Sequence, residues 1–386
     1  MRKKIIRWSR LSICRRVIVL FLILVVSYGV LFPLGGCASR EESENSSLQR
    51  FERTWIDFFD TVSTMIIYAS DSNEAEQYFS LAEDRLIYYH QLYDIYNNYP
   101  DVVNLKTIND SAGGEPIEVP EAIITLMEQS LSINEISQGA DNMALGPVIK
   151  LWQQASIQPA ASRQPPSLQA LQAAAVHCDI KNVIVDSENQ TVQLKDSQGS
   201  LDVGSGAKGL AAELIIQQLA ASGLQSCMLS LGGNVRTLGF KDGGELWRIG
   251  IQNPVATLTT SETTASLEGD GETELAGDEV DPLLFTVGVT DRAVVTSGVY
   301  QRFFIVDGER YHHIIDPATL APSTYYDAIT VISPDSGLAD SLTTALFNMS
   351  IAEGMELLNM YPDTEAVWVK GDQVTFSPGF ELYIVQ

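Results

Sequence analysis

The stretch Leu201–Glu213, LDVGSGAKGLAAE, constrains this chain more than any other. A strand-like entry ending in Asp202 meets the turn Gly204-Ser205-Gly206, and a helical run opens near Lys208. Glycines there let the backbone pass close to a ligand, and a helix start offers free N–H groups to an anion. An acid and a lysine six residues apart flank the turn. A nucleoside-triphosphate loop is excluded, because its lysine follows GxxxxG and precedes Ser or Thr, whereas Gly209 follows Lys208 here. A glycine-rich turn before a helix is, taken alone, more often only a turn. Its meaning depends on what lies downstream.

In ADSLTTALF, Asp340 and Thr344 stand four apart in a run of good helix formers, which puts carboxylate and hydroxyl on one helix face. Hard oxygen ligands of that kind suit Mg²⁺ when phosphates and waters complete the octahedron. The plainer alternative is that Asp340 caps the helix and Thr344 packs. In YHHIIDP, strand alternation sends His312 and His313 to opposite faces, so at most one meets a given site. His312 is read as structural. There is no HxxxH or HxH pair for zinc. Thr296-Ser297-Gly298 reads as a phosphate-binding nest or a turn, and its serine lies in no GxSxG elbow.

The order of elements predicts an α+β fold. Phe51–Ala69 reads as extended, Glu74–Tyr96 and Glu121–Ser137 as helices, and Gly139–Pro147 as an irregular loop before Val148–Gln154. A short helix at Leu168–Ala175, a hairpin over Val183–Leu194 and the helix to Ala221 follow. Cys227–Leu231 is a strand, and Val235–Ile251 suggests a hairpin around Gly243-Gly244. Leu283–Thr290, Ala293–Val295, Phe303–Val306, Tyr311–Pro317 and Ala328–Ile332 read as extended. The helices Gly337–Asn348 and Met355–Leu358 and strand pieces to Ile384 end the chain. Helices and strands mix without strict βαβ alternation, against a doubly wound sheet. Thr257–Asp281 carries eight acids and no base and lacks periodic apolar residues, so it reads as a disordered insertion.

The first 36 residues hold seven Lys/Arg and no acid. A basic start, the apolar run Val17–Phe32 and Leu34-Gly35-Gly36-Cys37 read as a lipoprotein signal, with Cys37 lipidated and Ser39–Gln49 as a polar tether. That places residues 51–386 outside the cytoplasm, on the bacterial membrane through lipid chains. A plain secretory signal or a single anchor is the alternative. Without the leader the chain carries 17 basic and 49 acidic residues, which repels nucleic acid and anionic headgroups. Cys178 and Cys227 have no ligand spacing and read as two buried thiols.

Seven segments in order, FFDTV, GADNMALGP, LDVGSGAKGLAAE, SLGGNVRTLG, VVTSGVYQRFF, HHIIDPATL and ADSLTTALF, resemble the ApbE-type FAD:protein FMN transferases from Phe58 to about Ile384. The resemblance implies an enzyme that splits FAD, transfers FMN to a threonine hydroxyl of an acceptor protein and releases AMP, using Mg²⁺. It implies Asp340 and Thr344 as side-chain metal ligands and Ser205 as a backbone-carbonyl ligand whose side chain is free to vary. Asp202 and Lys208 would flank the FAD. Phe59, Tyr96, Ala140, Asp141, Asn142 and Ile314 fall where members contact it, and His313 matches the proposed base for the incoming threonine. Three positions depart from the family pattern. Asp141-Asn142 replaces Phe-Asp, Phe59-Asp60 replaces Met-Gly, and Leu320 stands where glycine is usual. They leave open an FAD-binding lipoprotein without chemistry, and a third reading is a hydrolase giving FMN and AMP.

Overall fold

A computed structural model describes residues 48–257 and 281–385. Cys37, the leader, most of the tether and nearly all of the acidic insertion lie outside the described residues. The scaffold is an antiparallel sheet whose eight strands are adjacent in sequence order. They are β1 (Gln49–Phe58), β2 (Thr61–Ala69), β3 (Cys227–Leu231), β4 (Asn234–Leu238), β5 (Ala293–Gly298), β6 (Ala328–Ser333), β7 (Glu365–Lys370) and β8 (Gln373–Phe376). Everything that carries chemistry is inserted between these strands.

Strand alternation explains the two layers against the sheet. Met65, Ile67, Ile329, Val331, Ala366 and Trp368 face the helices, and their neighbours Ile66, Tyr68, Ile332, Val367 and Val369 face the opposite side. The helical layer comprises α1 (Ser72–Leu92), α2 (Glu121–Ile136), α3 (Ala207–Ala221) and α4 (Ser336–Phe347), with shorter helices around them. A second sheet of Trp247–Gln252, Leu283–Val289 and Ile384–Val385 covers the other face. β6, AITVIS, is therefore buried along its whole length, as a strand covered on both faces must be. The fold is α+β. No helix among the described residues is long and apolar enough to cross a membrane.

Several expectations hold closely: Leu168–Ala175, Cys227–Leu231 and the helix ending at Ala221 have the expected bounds. Others are corrected. Phe51–Ala69 is two paired strands, reversed at Phe59 and Asp60, which both take positive φ. Glu74–Tyr96 ends as a helix at Leu92, because the Asp94 carboxylate captures the N–H groups of Tyr96 and Asn97 in a turn. Val235–Ile251 is no hairpin. β4 pairs with β3 and β5, while Trp247–Gln252 pairs with Leu283–Val289 in the second sheet. Thr296-Ser297-Gly298 is neither nest nor turn but the end of β5, paired with β6. Cys178 and Cys227 are free and buried, as expected.

Candidate active site

Four segments meet where α4 packs against the start of α3. The close approach depends on Gly209, where a Cβ would lie 2.2 Å from the Ser336 carbonyl oxygen and 2.5 Å from Asp340 Cβ. With no Cβ in the way, the Gly209 N–H donates to Asp340 Oδ2 at 2.8 Å. That N–H would ordinarily close the first turn on the Ser205 carbonyl. Its diversion leaves the Ser205 carbonyl without a hydrogen bond among the described residues. Asp335, not Asp340, caps α4, its carboxylate oxygen accepting from the Leu338 N–H at 2.7 Å. Asp340 is left with a buried carboxylate, raised above the ordinary aspartate range by burial and opposed by Lys208.

One turn along α4, Thr344 is half-buried and its hydroxyl has no hydrogen-bond partner among the described residues. Its neighbour Thr343 is engaged, donating to the Asp340 carbonyl at 2.6 Å and meeting Ser297 Oγ at 2.8 Å. Asn234, 2% exposed, faces Asp340, yet its Nδ2 completes no hydrogen bond. A free carbonyl, a free hydroxyl and a buried carboxylate are hard oxygen donors suited to a magnesium ion. No group of three or more His, Cys, Asp or Glu suited to a metal occurs among the described residues. A site with one carboxylate among its protein ligands does not require such a group.

The irregular loop expected over Gly139–Pro147 is shorter than its sequence suggests, giving way to a 3-10 turn at Met143–Leu145 and a helix from Gly146. It runs alongside the Gly204–Gly206 turn, with the Asp202 N–H bonded to the Met143 carbonyl at 2.8 Å. Asn348, the C-cap of α4, donates to the carbonyls of Ala140 at 3.0 Å and Ile315 at 3.3 Å, tying loop, helix and the HHIID segment together. Asp141 is buried at 6% exposure, with the Ser205 side chain close by. Burial, reinforced by the charges of Asp340 and Asp202, pushes Asp141 up to about 7. Asn142 is committed to the loop: its side chain accepts from the Ala144 N–H at 2.9 Å and donates to the Cys178 carbonyl at 3.0 Å.

Asp202 is half-buried and accepts the Gly204 N–H at 3.0 Å. Burial raises its carboxyl, while that N–H, Arg302 and Lys208 pull it down. Lys208 reaches back to the Gly204 carbonyl at 3.5 Å. Gln153 joins Tyr96 Oη at 2.9 Å and Asp202 at 3.4 Å, which places the exposed Tyr96 ring on the same rim. Phe59 stands edge-on to His90, whose Nδ1 accepts the Phe59 N–H at 3.2 Å. Ile314 is buried.

The two histidines are told apart by their hydrogen bonds. His312 is buried; Nε2 meets the Ser323 carbonyl at 2.7 Å, and Nδ1 accepts the Ile314 N–H at 3.2 Å. Both ring nitrogens are spent, and burial lowers the ring to about 4. His313 is exposed, with Nδ1 at 3.2 Å from the Arg302 carbonyl. A carbonyl only accepts, so Nδ1 carries the proton and Nε2 keeps a free lone pair. Desolvation, with the charge of Arg302 second, holds the ring well below the ordinary histidine range. Arg302 and Gln153 are site residues the sequence reading did not single out. Arg302 lies in the quoted VVTSGVYQRFF segment, directly beyond the Phe303–His312 pair.

The chain is similar to known proteins over most of its length. The ApbE family model matches residues 59–368. A FAD:protein FMN transferase of Treponema pallidum is 35% identical over 283 residues, 70% of this chain and 71% of that protein. One from Klebsiella pneumoniae is 28% identical over 72% of this chain and 81% of its own length. Among solved structures, an ApbE protein of Thermotoga maritima superposes with a TM-score of 0.71 at 26% identity, covering 88% of this chain and 100% of that one. The flavin transferase ApbE of Vibrio cholerae gives 0.69 at 21% identity, covering 87% and 99%. At that identity it speaks for the fold alone.

Proposed function

This chain belongs to the ApbE family, and on that premise we propose that it is an Mg²⁺-dependent FAD:protein FMN transferase that flavinylates a threonine of an acceptor protein and releases AMP. The observation that carries the reading is the docking of α4 on the Gly204–Gly206 turn. It brings the Asp340 carboxylate against Gly209 and beside Lys208, and on this reading the free Ser205 carbonyl and, one turn along α4, the Thr344 hydroxyl complete the ligand set.

Those three residues would hold the cation, which when bound neutralises charge on the FAD diphosphate. Lys208 adds positive charge beside Asp202, and Tyr96, Phe59 and the Ala140–Asn142 loop line the rim for the rest of the dinucleotide. His313 Nε2 takes the proton of the threonine hydroxyl as its oxygen bonds to the FMN phosphorus. The bond from that phosphorus to the bridging oxygen breaks, and AMP leaves with the electron pair. Nucleophile, phosphorus and leaving oxygen need positioning and charge neutralisation more than covalent help.

We place the enzyme outside the cytoplasm, lipid-anchored through Cys37; this rests on the basic leader, the small residues before Cys37 and the polar tether after it. The test of function is purified protein with FAD, Mg²⁺ and an FMN-binding acceptor domain, in its native form and with the acceptor threonine changed to valine. Covalent flavin fluorescence on the native acceptor alone supports transfer. Free FMN and AMP with either acceptor would mean hydrolysis, and intact FAD would mean storage.

A further inference from the structure

A buried ion pair remote from any substrate-facing group fixes the register in which α4 lies on α3. Glu213 and Arg236 meet through two bonds, Arg236 Nε to Glu213 Oε2 at 2.7 Å and a terminal guanidinium nitrogen to Oε1 at 3.2 Å. Their side chains are only 6% and 10% exposed. Glu213 Oε2 also accepts the Ser336 backbone N–H at 2.9 Å, at the first residue of α4. Arg236 is held in turn by the Thr237 carbonyl on β4.

The spacing links this contact to the candidate site. Glu213 stands four residues after Gly209 on α3, and Ser336 stands four before Asp340 on α4. The helices run antiparallel with two polar rungs, Glu213 to Ser336 and Gly209 to Asp340. The same step carried one turn further sets Thr344 against Ser205, so the candidate ligands occupy the open end of a ladder whose closed end is Glu213. A slip of α4 at Ser336 would move Asp340 off Gly209 and return that N–H to the Ser205 carbonyl.

We propose that Glu213, locked by Arg236, is the positioning residue of the divalent-cation site. This rests on the reading of Ser205, Asp340 and Thr344 given above. Loss of a buried charge partner leaves the other uncompensated, so single substitutions test stability together with position. Replacing both charges by apolar residues of similar volume, Glu213→Leu with Arg236→Met, restores packing while leaving the Ser336 N–H without its acceptor.

The experiment measures Mn²⁺ affinity of the full chain in the presence of FAD by electron paramagnetic resonance, alongside thermal melting. Asp340→Ala reports on the site itself. The double variant, Glu213→Gln and Arg236→Lys report on the lock. Outer residues of metal sites typically contribute on the order of 10–100-fold in affinity. The double variant is expected to fold, to lose at least about tenfold in Mn²⁺ affinity on that scale, and to keep its KM for FAD within a factor of two at saturating metal. Glu213→Gln, which retains an acceptor for Ser336, should fall between it and the wild type. Wild-type Mn²⁺ affinity in a folded double variant would overturn the lock while Asp340→Ala still showed the site. Unchanged affinity in Asp340→Ala would overturn the site reading, and the lock with it.

Discussion

Asp340 takes the backbone N–H of Gly209 at 2.8 Å, across a gap of 131 residues in the chain. One hydrogen bond thereby frees the Ser205 carbonyl and orients the carboxylate beside it. Asp340→Ala should abolish the cation requirement and most turnover, since a metal supplies several kcal/mol of charge stabilisation, on the order of 10³-fold in rate. Asp340→Asn should do little better, because the amide keeps the shape without the charge. Thr344→Ala should be milder, as water replaces a neutral hydroxyl. Ser205→Ala should cost less than any of these, because it keeps the carbonyl. Steady-state rates against Mg²⁺ concentration give the order, and a Ser205→Ala loss equal to that of Asp340→Ala would overturn the carbonyl-ligand assignment.

The histidines give a second test. His313→Ala should slow transfer on the order of 10²–10⁴-fold, the usual worth of a general base, while FAD still binds. His312→Ala should act on stability, since it leaves the Ser323 carbonyl and the Ile314 N–H without their partner. Because desolvation and then the charge of Arg302 lower His313 from the ordinary histidine range, kcat/KM should show no histidine limb near pH 6.5. A limb there that vanished in His313→Ala would contradict this placement.

Asp141 makes stability depend on pH with a definite sign. Its carboxyl titrates near 7 when folded and near the ordinary aspartate value when unfolded, so the folded state binds more protons between. Its contribution is present below the unfolded pKa and is lost as pH rises through about 7. Metal-free Asp141→Asn should therefore lose less melting temperature than the wild type between pH 5 and pH 8, by on the order of a few °C. His312 and His313 titrate with the opposite sign in both proteins, so the difference reports Asp141 together with its coupling to the raised carboxylates Asp202 and Asp340. Parallel pH profiles for the two proteins would contradict its burial beside Asp340.

How much was legible depended on whether a signal was local. The i, i+4 placement of Asp340 and Thr344 follows from helix geometry, and the helix has nearly the expected bounds. The opposite fates of His312 and His313 follow from strand alternation. What escaped was long-range. Val235–Ile251 carried a hairpin's turn glycines, yet its two strands belong to different sheets, a choice made by partners as far away as Val294 is from Val235. Gln153 lies in no motif, Arg302 was not singled out within its segment, and both reach the site only through the fold. The family departures have a backbone meaning that only the structure supplies. Asp60 at φ 54° and Leu320 at φ 60° hold left-handed conformations where relatives carry glycine. Leu320 keeps its turn through two bonds, its N–H to the Asp316 carbonyl at 2.8 Å and its carbonyl to Trp152 Nε1 at 2.9 Å.

The most direct test of the account is the stoichiometry of the reaction. Wild-type protein, FAD and Mg²⁺ are incubated with and without a threonine-bearing acceptor, and AMP and protein-bound flavin are quantified together. Transfer predicts one AMP per covalent FMN, with AMP formation dependent on the acceptor and lost in Asp340→Ala. AMP released at the same rate without an acceptor, or an acceptor that stays unmodified while FAD is consumed, would contradict it.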